Sequence, residues 1–232
     1  MDSVIIGNGL LANAFSKANI KNCLFFCSGV SNSSETRKKA FDREEALLRN
    51  SIIVHSNKCI VYFSSVSAIK IDTPYYNHKK NMERIIVESA EDYIIFRLPQ
   101  VAGAVVNSTL LSFITQNIYL GNSFKVFKNA TRTVVDVEDL VDLFELIYSQ
   151  SERNVTLNIC PQYTFQPEYL VKLISKKLKT EALYEIVDAG SPQVCELDNS
   201  HGSQIISKFF ANEPEYLEKV VDKYIPKIIS LL

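Results

Sequence analysis

The chain has 232 residues, 47% of them hydrophobic and 22% charged, with a formal net charge of −1. This length and composition suit one large α/β domain, or a domain with a small lobe, with ample material for a core. The balanced charge gives no basis for a nucleic-acid or membrane-surface partner, and no apolar run approaches the length of a membrane span.

Met1-Asp2-Ser3-Val4 runs straight into an apolar strand pattern, without the basic and long apolar regions of a signal peptide. A soluble, cytoplasmic protein is therefore expected. Cys23, Cys27, Cys59, Cys160 and Cys195 show no paired metal spacing, and Cys23 and Cys27 read as buried free thiols in a strand. Ser3–Ile6 is a short apolar strand. It leads into Gly7-Asn8-Gly9-Leu10-Leu11-Ala12, a Gly-rich turn that opens a helix with Leu10, Leu11, Ala14 and Phe15 on its inner face. Strand, Gly-x-Gly-x-x-Ala and helix form the setting in which backbone amides hold a pyrophosphate; the plainer reading is a tight turn that binds nothing.

Cys23–Asn32 reads as an apolar strand ending in small polar residues, and Glu35–Asn50 as a helix with Ala40, Phe41, Leu47 and Leu48 as its apolar stripe. Lys58–Phe63 is a buried strand running into Ser64-Ser65-Val66-Ser67. The next helix begins Pro74-Tyr75-Tyr76-Asn77-His78-Lys79-Lys80 and continues through Met82, Ile85, Ile86 and Val87. A Tyr and a Lys four apart share a helix face, where the ammonium can lower the phenol's pKa for proton transfer. Both Tyr75/Lys79 and Tyr76/Lys80 have that spacing, so the pattern alone leaves two candidates.

Tyr93–Pro99 is a strand, Asn107–Asn117 a helix, Ser123–Lys128 a short strand and Val137–Tyr148 an amphipathic helix. Asn154–Cys160 returns as a strand, Pro167–Leu178 is helical, Glu185–Val187 is a short strand, and Glu213–Leu231 closes the chain as a helix that Pro226 should kink or end. The alternation predicts a doubly wound parallel sheet with helices on both faces. The expected division is a Rossmann-like core over 1–160, with 107–133 contributing to a substrate lobe completed by 161–232.

The order of motifs resembles the extended short-chain dehydrogenase/reductases, within them the nucleotide-sugar epimerase/dehydratase/reductase group. It is carried by the Gly-rich turn, Ser64-Ser65, Pro74-Tyr75-x-x-x-Lys79-x-x-x-Glu83, and Phe96-Arg97-Leu98-Pro99-x-Val101-x-Gly103. Asn107–Leu111, Arg132–Leu140 and Leu157-Asn158-Ile159 extend it over nearly the whole chain. The resemblance implies NAD or NADP as cofactor and a nucleotide sugar as substrate. It also implies a homodimer formed by the helices at 36–51 and 76–91.

The family's tyrosine follows a proline, which favours Tyr75 as the acid/base. Lys79 would lower its pKa and bind the nicotinamide ribose, and Ser65 would orient the substrate oxygen. Gly7, Asn8, Gly9, Leu10, Leu11, Ser28, Gly29 and Pro99 are the remaining cofactor candidates. Gln100, Asn107, Phe127 and Arg132 are the substrate candidates, with Arg132 gripping the diphosphate. Without the resemblance, Ser65 would read as a strand terminus and Arg132 as a solvated loop charge.

Three departures qualify this. A strand–helix–strand segment after the first helix is missing, and with it the acidic residue that holds the adenosine ribose. The Gly turn is one residue short, with Ala12 for its last glycine. Val66 and Ser67 stand where dehydratases carry a carboxylate pair, which disfavours 4,6-dehydration. The expected activity is reduction or epimerisation of a nucleotide sugar. The alternative is a non-catalytic nucleotide-binding or partner module. Arg37, Lys38 and Lys39 read as a solvated helix start. A serine hydrolase is disfavoured, since His55, His78 and His201 have no triad-like context.

Overall fold

The computed structural model describes residues 2–211 and 215–232. The chain begins β1 (Val4–Ile6), α1 (Leu10–Phe15), β2 (Cys23–Phe26), α2 (Lys38–Val54), β3 (Cys59–Ser65), α3 (Pro74–Ser89) and β4 (Tyr93–Leu98). It continues β5 (Gln100–Ala102), α4 (Leu110–Leu120), β6 (Phe124–Phe127), β7 (Val134–Asp136), α5 (Val137–Ser149) and β8 (Val155–Asn158). The remainder is α6 (Pro167–Leu178), β9 (Tyr184–Val187), α7 (His201–Phe210) and α8 (Tyr216–Ile229).

The main sheet is parallel throughout, in the order β1-β2-β3-β4-β8. Its inner strands are apolar on both faces, as burial by helices on both sides requires; every residue of β2 is buried. Phe25, Val61, Phe63 and Phe96 point to one face, where they meet Phe15 of α1 and Phe144 of α5. Leu24, Phe26, Ile60, Tyr62 and Ile95 point to the other, under Leu48 and Ile52 of α2 and Met82, Ile85 and Ile86 of α3. The first apolar cluster also takes in Leu170, Ile174, Ile206, Phe210, Val221 and Ile228, so the C-terminal helices share the core of the sheet.

The doubly wound sheet is shortened at one edge: β1 is a terminal strand, and no further strand pairs outside it among the described residues. The strands advance in one direction from β1, yet α1 lies on the face opposite α2 and α3. The β1–α1–β2 connection therefore has the opposite hand to the two that follow, although such crossovers share one hand in nearly all proteins. Helices α1 and α2 leave toward opposite faces, the arrangement that in sheets of this kind makes a ligand-binding crevice outside the C-terminal ends of adjoining strands, here β1 and β2.

Several sequence expectations change. The closing helix is α8, beginning at Tyr216; Glu213 and Pro214 lie outside the described residues. Pro226 sits inside α8 without ending it. Only the last turn follows it, so little helix depends on the hydrogen bond its missing N–H removes. Helix α7 and the short β5–β7 pair have no counterpart in the sequence reading. Cys160 and Cys195, to which the sequence assigns no partner or role, form a disulfide with Cα atoms 5.6 Å apart. Cys23 and Cys59 are buried free thiols, and Cys27 is half-buried.

Candidate active site

The crevice begins at the Gly-rich turn. Gly7 has φ +125°, and a Cβ there would lie 2.7 Å from the Cys27 carbonyl oxygen, so only glycine fits. A Cβ on Gly9 would meet nothing within 4 Å. Gly9 caps α1 without a side-chain hydrogen bond, so its own side chain satisfies none of the first amides of the helix. Gly103 packs against the turn from behind, since a Cβ there would lie 2.4 Å from Leu10 Cδ1.

Helix α3 starts with Thr73, whose hydroxyl accepts from the Tyr76 amide at 3.4 Å, followed by Pro74 in the first turn. Its inward stripe is Tyr75, His78, Lys79, Met82, Glu83, Ile85 and Ile86, all buried. Tyr76 is half-buried and Lys80 exposed. The two Tyr/Lys pairs thus separate: Tyr75 with Lys79 turns inward, and Tyr76 with Lys80 turns away.

Lys79 is tied into a buried polar network. Its Nζ donates to Glu44 Oε1 at 3.2 Å and to the Tyr62 hydroxyl at 3.0 Å. It stands 5.8 Å from the centre of the Tyr75 ring. A Cβ on Gly29 would lie 2.9 Å from this ammonium, so Gly29 forms the lid over it. Glu44 is wholly buried on α2. Its other oxygen accepts from the Val30 amide at 2.6 Å and lies 3.0 Å from His78 Nε2, while Tyr62 donates to Oε1 at 2.7 Å. Burial opposes ionisation of Glu44, but the Lys79 ammonium, His78, the Val30 amide and Tyr62 hold its carboxyl down at about 2.

This corrects one expectation. A lone ammonium roughly 6 Å away would favour tyrosinate by about 2–3 kcal/mol at an effective dielectric near 20. Here Glu44 pairs with that ammonium. Burial, with Tyr76 and Glu44 adding to it, pushes the Tyr75 hydroxyl above the usual phenol range rather than below it.

A second anchor fixes α3 to the sheet. Ser64 donates to Glu83 Oε1 at 2.5 Å, and Arg97 pairs with Glu83 Oε2 at 2.6 Å. Ser65 is partly exposed at the end of β3, where its hydroxyl accepts from the Ser67 amide at 3.3 Å. It pairs in register with Leu98, so Pro99 follows directly beside it. Ser28 and Gly29 follow β2 at the rim of the same crevice.

On the lobe side, the Gln100 amide donates to the Thr133 carbonyl at 3.1 Å, next to Arg132. Arg132 Nη1 donates to the carbonyls of Thr131 at 2.7 Å and Ser191 at 2.9 Å, and burial pushes its guanidinium down. Among the described residues no carboxylate pairs with it, and Tyr76 lies near enough to act on its charge. Ser191 belongs to a strap that continues to Cys195, held at β8 by the disulfide, and to Glu196, which meets Lys70 at 3.1 Å.

Asn107 is used locally: its Oδ1 accepts from the Thr109 amide at 2.9 Å and the Thr109 hydroxyl at 2.7 Å ahead of α4. Phe127 ends β6 largely exposed, against Gly190. Asn107 is spent on these local hydrogen bonds, and Phe127 on its packing against Gly190. The sequence reading missed Glu44, Tyr62 and His78. The available signal was Glu44 itself, a carboxylate at the Ala40, Glu44, Leu48 spacing that defines the buried face of α2.

The fold is a Rossmann-like doubly wound sheet shortened at one edge. Residues 61–160 match the family described as the NAD dependent epimerase/dehydratase family. No curated protein matches the sequence. Among solved structures, MoeE5, determined with UDP-glucuronic acid and NAD, is similar at 17% identity and a TM-score of 0.72, covering 91% of this chain and 80% of that one. A UDP-glucose 4-epimerase is similar at 16% identity and a TM-score of 0.71, covering 94% and 80%. The Bordetella bronchiseptica enzyme WbmH, determined with NAD+, is similar at 15% identity and a TM-score of 0.71, covering 95% and 79%. At these identities the likeness is one of fold.

Proposed function

We propose that the chain is an NAD(P)-dependent reductase or epimerase of a nucleotide-activated sugar, with Tyr75 as its acid/base. The observation that carries this reading is the inward pair Tyr75 and Lys79 beneath Gly29, at the crevice opened by Gly7 to Leu11. The residues suit a dinucleotide at its pyrophosphate and nicotinamide ends: Gly7 is in a conformation only glycine adopts, Gly9 faces open space, and Lys79 keeps one N–H beyond those given to Glu44 and Tyr62. The adenosine end has less to rest on, because β1 is the sheet's edge. Gly7, Asn8, Gly9, Leu10 and Leu11 would hold the pyrophosphate, and Ser28, Gly29, Lys79 and Pro99 the nicotinamide ribose. The bound cofactor supplies hydride exchange with a sugar carbon.

Tyr75 moves the proton on the substrate oxygen, and Ser65 orients that oxygen. Arg132, half-buried and without a carboxylate among the described residues, suits a diphosphate, with Gln100 beside it and Asn107 and Phe127 at the periphery. Val66 and Ser67 in place of a carboxylate pair count against water elimination. The relatives' nucleotide-sugar and NAD ligands support the substrate and cofactor classes. A homodimer through α2 and α3 fits Ile53, Val54 and Val87, which are exposed on those helices; light scattering tests it.

The second reading, a non-catalytic nucleotide-binding module, is favoured by the exposed edge at β1 and by the ion pair that occupies Lys79. Incubation with NADPH or NADH and a panel of 4-keto and 4-hydroxy nucleotide sugars separates the two. Turnover that Tyr75→Phe lowers at least 100-fold supports the catalytic reading. Absence of turnover together with absence of dinucleotide binding by calorimetry rejects it.

A further inference from the structure

We propose that Glu44 is a positioning residue that cancels the charge of Lys79 at Tyr75, so that Tyr75 meets its substrate as a protonated acid and the site is set for reducing a keto group. This rests on the proposed role of Tyr75 and narrows it. Tyr and Lys alone would make a tyrosinate available as a base, the state that oxidation of a sugar hydroxyl needs. A wholly buried carboxylate 3.2 Å from the same ammonium removes that drive.

The network is built for a carboxylate rather than merely tolerating one. The Val30 amide, the Tyr62 hydroxyl and the Lys79 ammonium are donors to Glu44, and His78 Nε2 lies 3.0 Å away as the further partner. Phe41 stacks on His78 with ring centres 4.6 Å apart and closes that side. Gly29 closes another, since a Cβ there would lie 3.0 Å from Glu44 Oε1. With so little room, Glu44 cannot swing away and leave Lys79 unpaired.

The charged and titratable groups around Tyr75 come from each neighbouring element. Glu44 is on α2 and Tyr62 on β3; Tyr76, His78, Lys79 and Glu83 share α3. Arg97 of β4 is engaged with Glu83, and Arg132 lies toward Tyr76. Lys79 is the cation held in the ion pair with Glu44. In the reaction this favours, the carbonyl carbon gains a hydride whose source is a reduced nicotinamide. The C–O π pair moves to the oxygen, which takes the Tyr75 hydroxyl proton, and the tyrosinate left behind regains a proton from water.

The test needs neither substrate nor cofactor. Protein carrying 13Cζ-labelled tyrosine is titrated by NMR, with Tyr75→Phe identifying the resonance. Wild-type Tyr75 is expected to ionise above the ordinary phenol value of about 10. Glu44→Gln is expected to shift its midpoint down at least tenfold in proton concentration, and Glu44→Gln/Lys79→Met to reverse that shift. A wild-type midpoint at or below the ordinary value overturns the proposal, as does a folded Glu44→Gln protein with an unmoved midpoint. Should Glu44→Gln not fold, wild-type protein still decides. A slowly exchanging Lys79 ammonium coupled to the Glu44 carboxyl, with a high Tyr75 midpoint, supports the proposal, and absence of either overturns it. A protein that turns over with a low midpoint rejects the role of Glu44 alone. An inactive protein with a high midpoint rejects only the proposed function.

Discussion

Acid should weaken this protein through Glu44, and the size of the effect follows from its surroundings. Its carboxyl is held at about 2 in the folded chain against 4.5 in an unstructured one. Because the folded value is the lower, the stabilisation is fully present above pH 4.5 and is lost as pH falls from there toward 2. At about 1.4 kcal/mol per unit, the gap amounts to roughly 3 kcal/mol. That is a large share of the 5–15 kcal/mol that holds a typical domain together. The assay is urea unfolding of wild type and Glu44→Gln at pH 7, 4, 3 and 2. Glu44→Gln is expected to be less stable at pH 7 by about 3 kcal/mol or more, because it leaves the Lys79 ammonium buried without its counter-charge. The difference should narrow by roughly 3 kcal/mol toward pH 2, where wild type loses its carboxylate too. Other carboxylates titrate in both proteins and cancel in the comparison. A difference that stays constant from pH 7 to pH 2 would refute the ion pair.

Two further outcomes follow from contacts elsewhere. Gly103→Ala places a methyl 2.4 Å from Leu10 Cδ1, so the Leu10 side chain must shift within the Gly-rich turn. The expected result is about 1–3 kcal/mol of lost stability with weaker dinucleotide binding by calorimetry, and unchanged binding would separate Leu10 from the cofactor site. Cys195→Ser opens a cross-link over a separation of 35 residues. By loop entropy this lowers stability by about 3–4 kcal/mol in denaturant under oxidising conditions, and the difference from wild type should vanish in excess dithiol.

What the sequence determined by itself was the local order. Apolar runs such as Cys23–Phe26 and Ile60–Phe63 are short for helices and read as strands buried on both faces, and the Gly7–Ala12 turn reads as the join of a strand to a helix. The inward face of α3 is likewise legible, because Tyr75, Lys79, Met82 and Ile86 follow the helical period of its apolar stripe. The choice of Tyr75 over Tyr76 came from the family pattern, in which the tyrosine follows a proline. Tertiary structure alone decided what those residues meet. Glu44 lies 35 positions from Lys79, and nothing in either local pattern says that α2 will deliver a carboxylate to that ammonium. The same holds for Cys160 with Cys195, and for Ser191 with Arg132. The placing of α1 opposite α2 follows from packing Phe15 among Phe25, Phe63 and Phe144. Periodicity records which side of an element is buried, because burial is a property of each residue's own face. Which charges meet across that buried space depends on how separate elements pack. In this chain that packing sets which charges stand beside Tyr75.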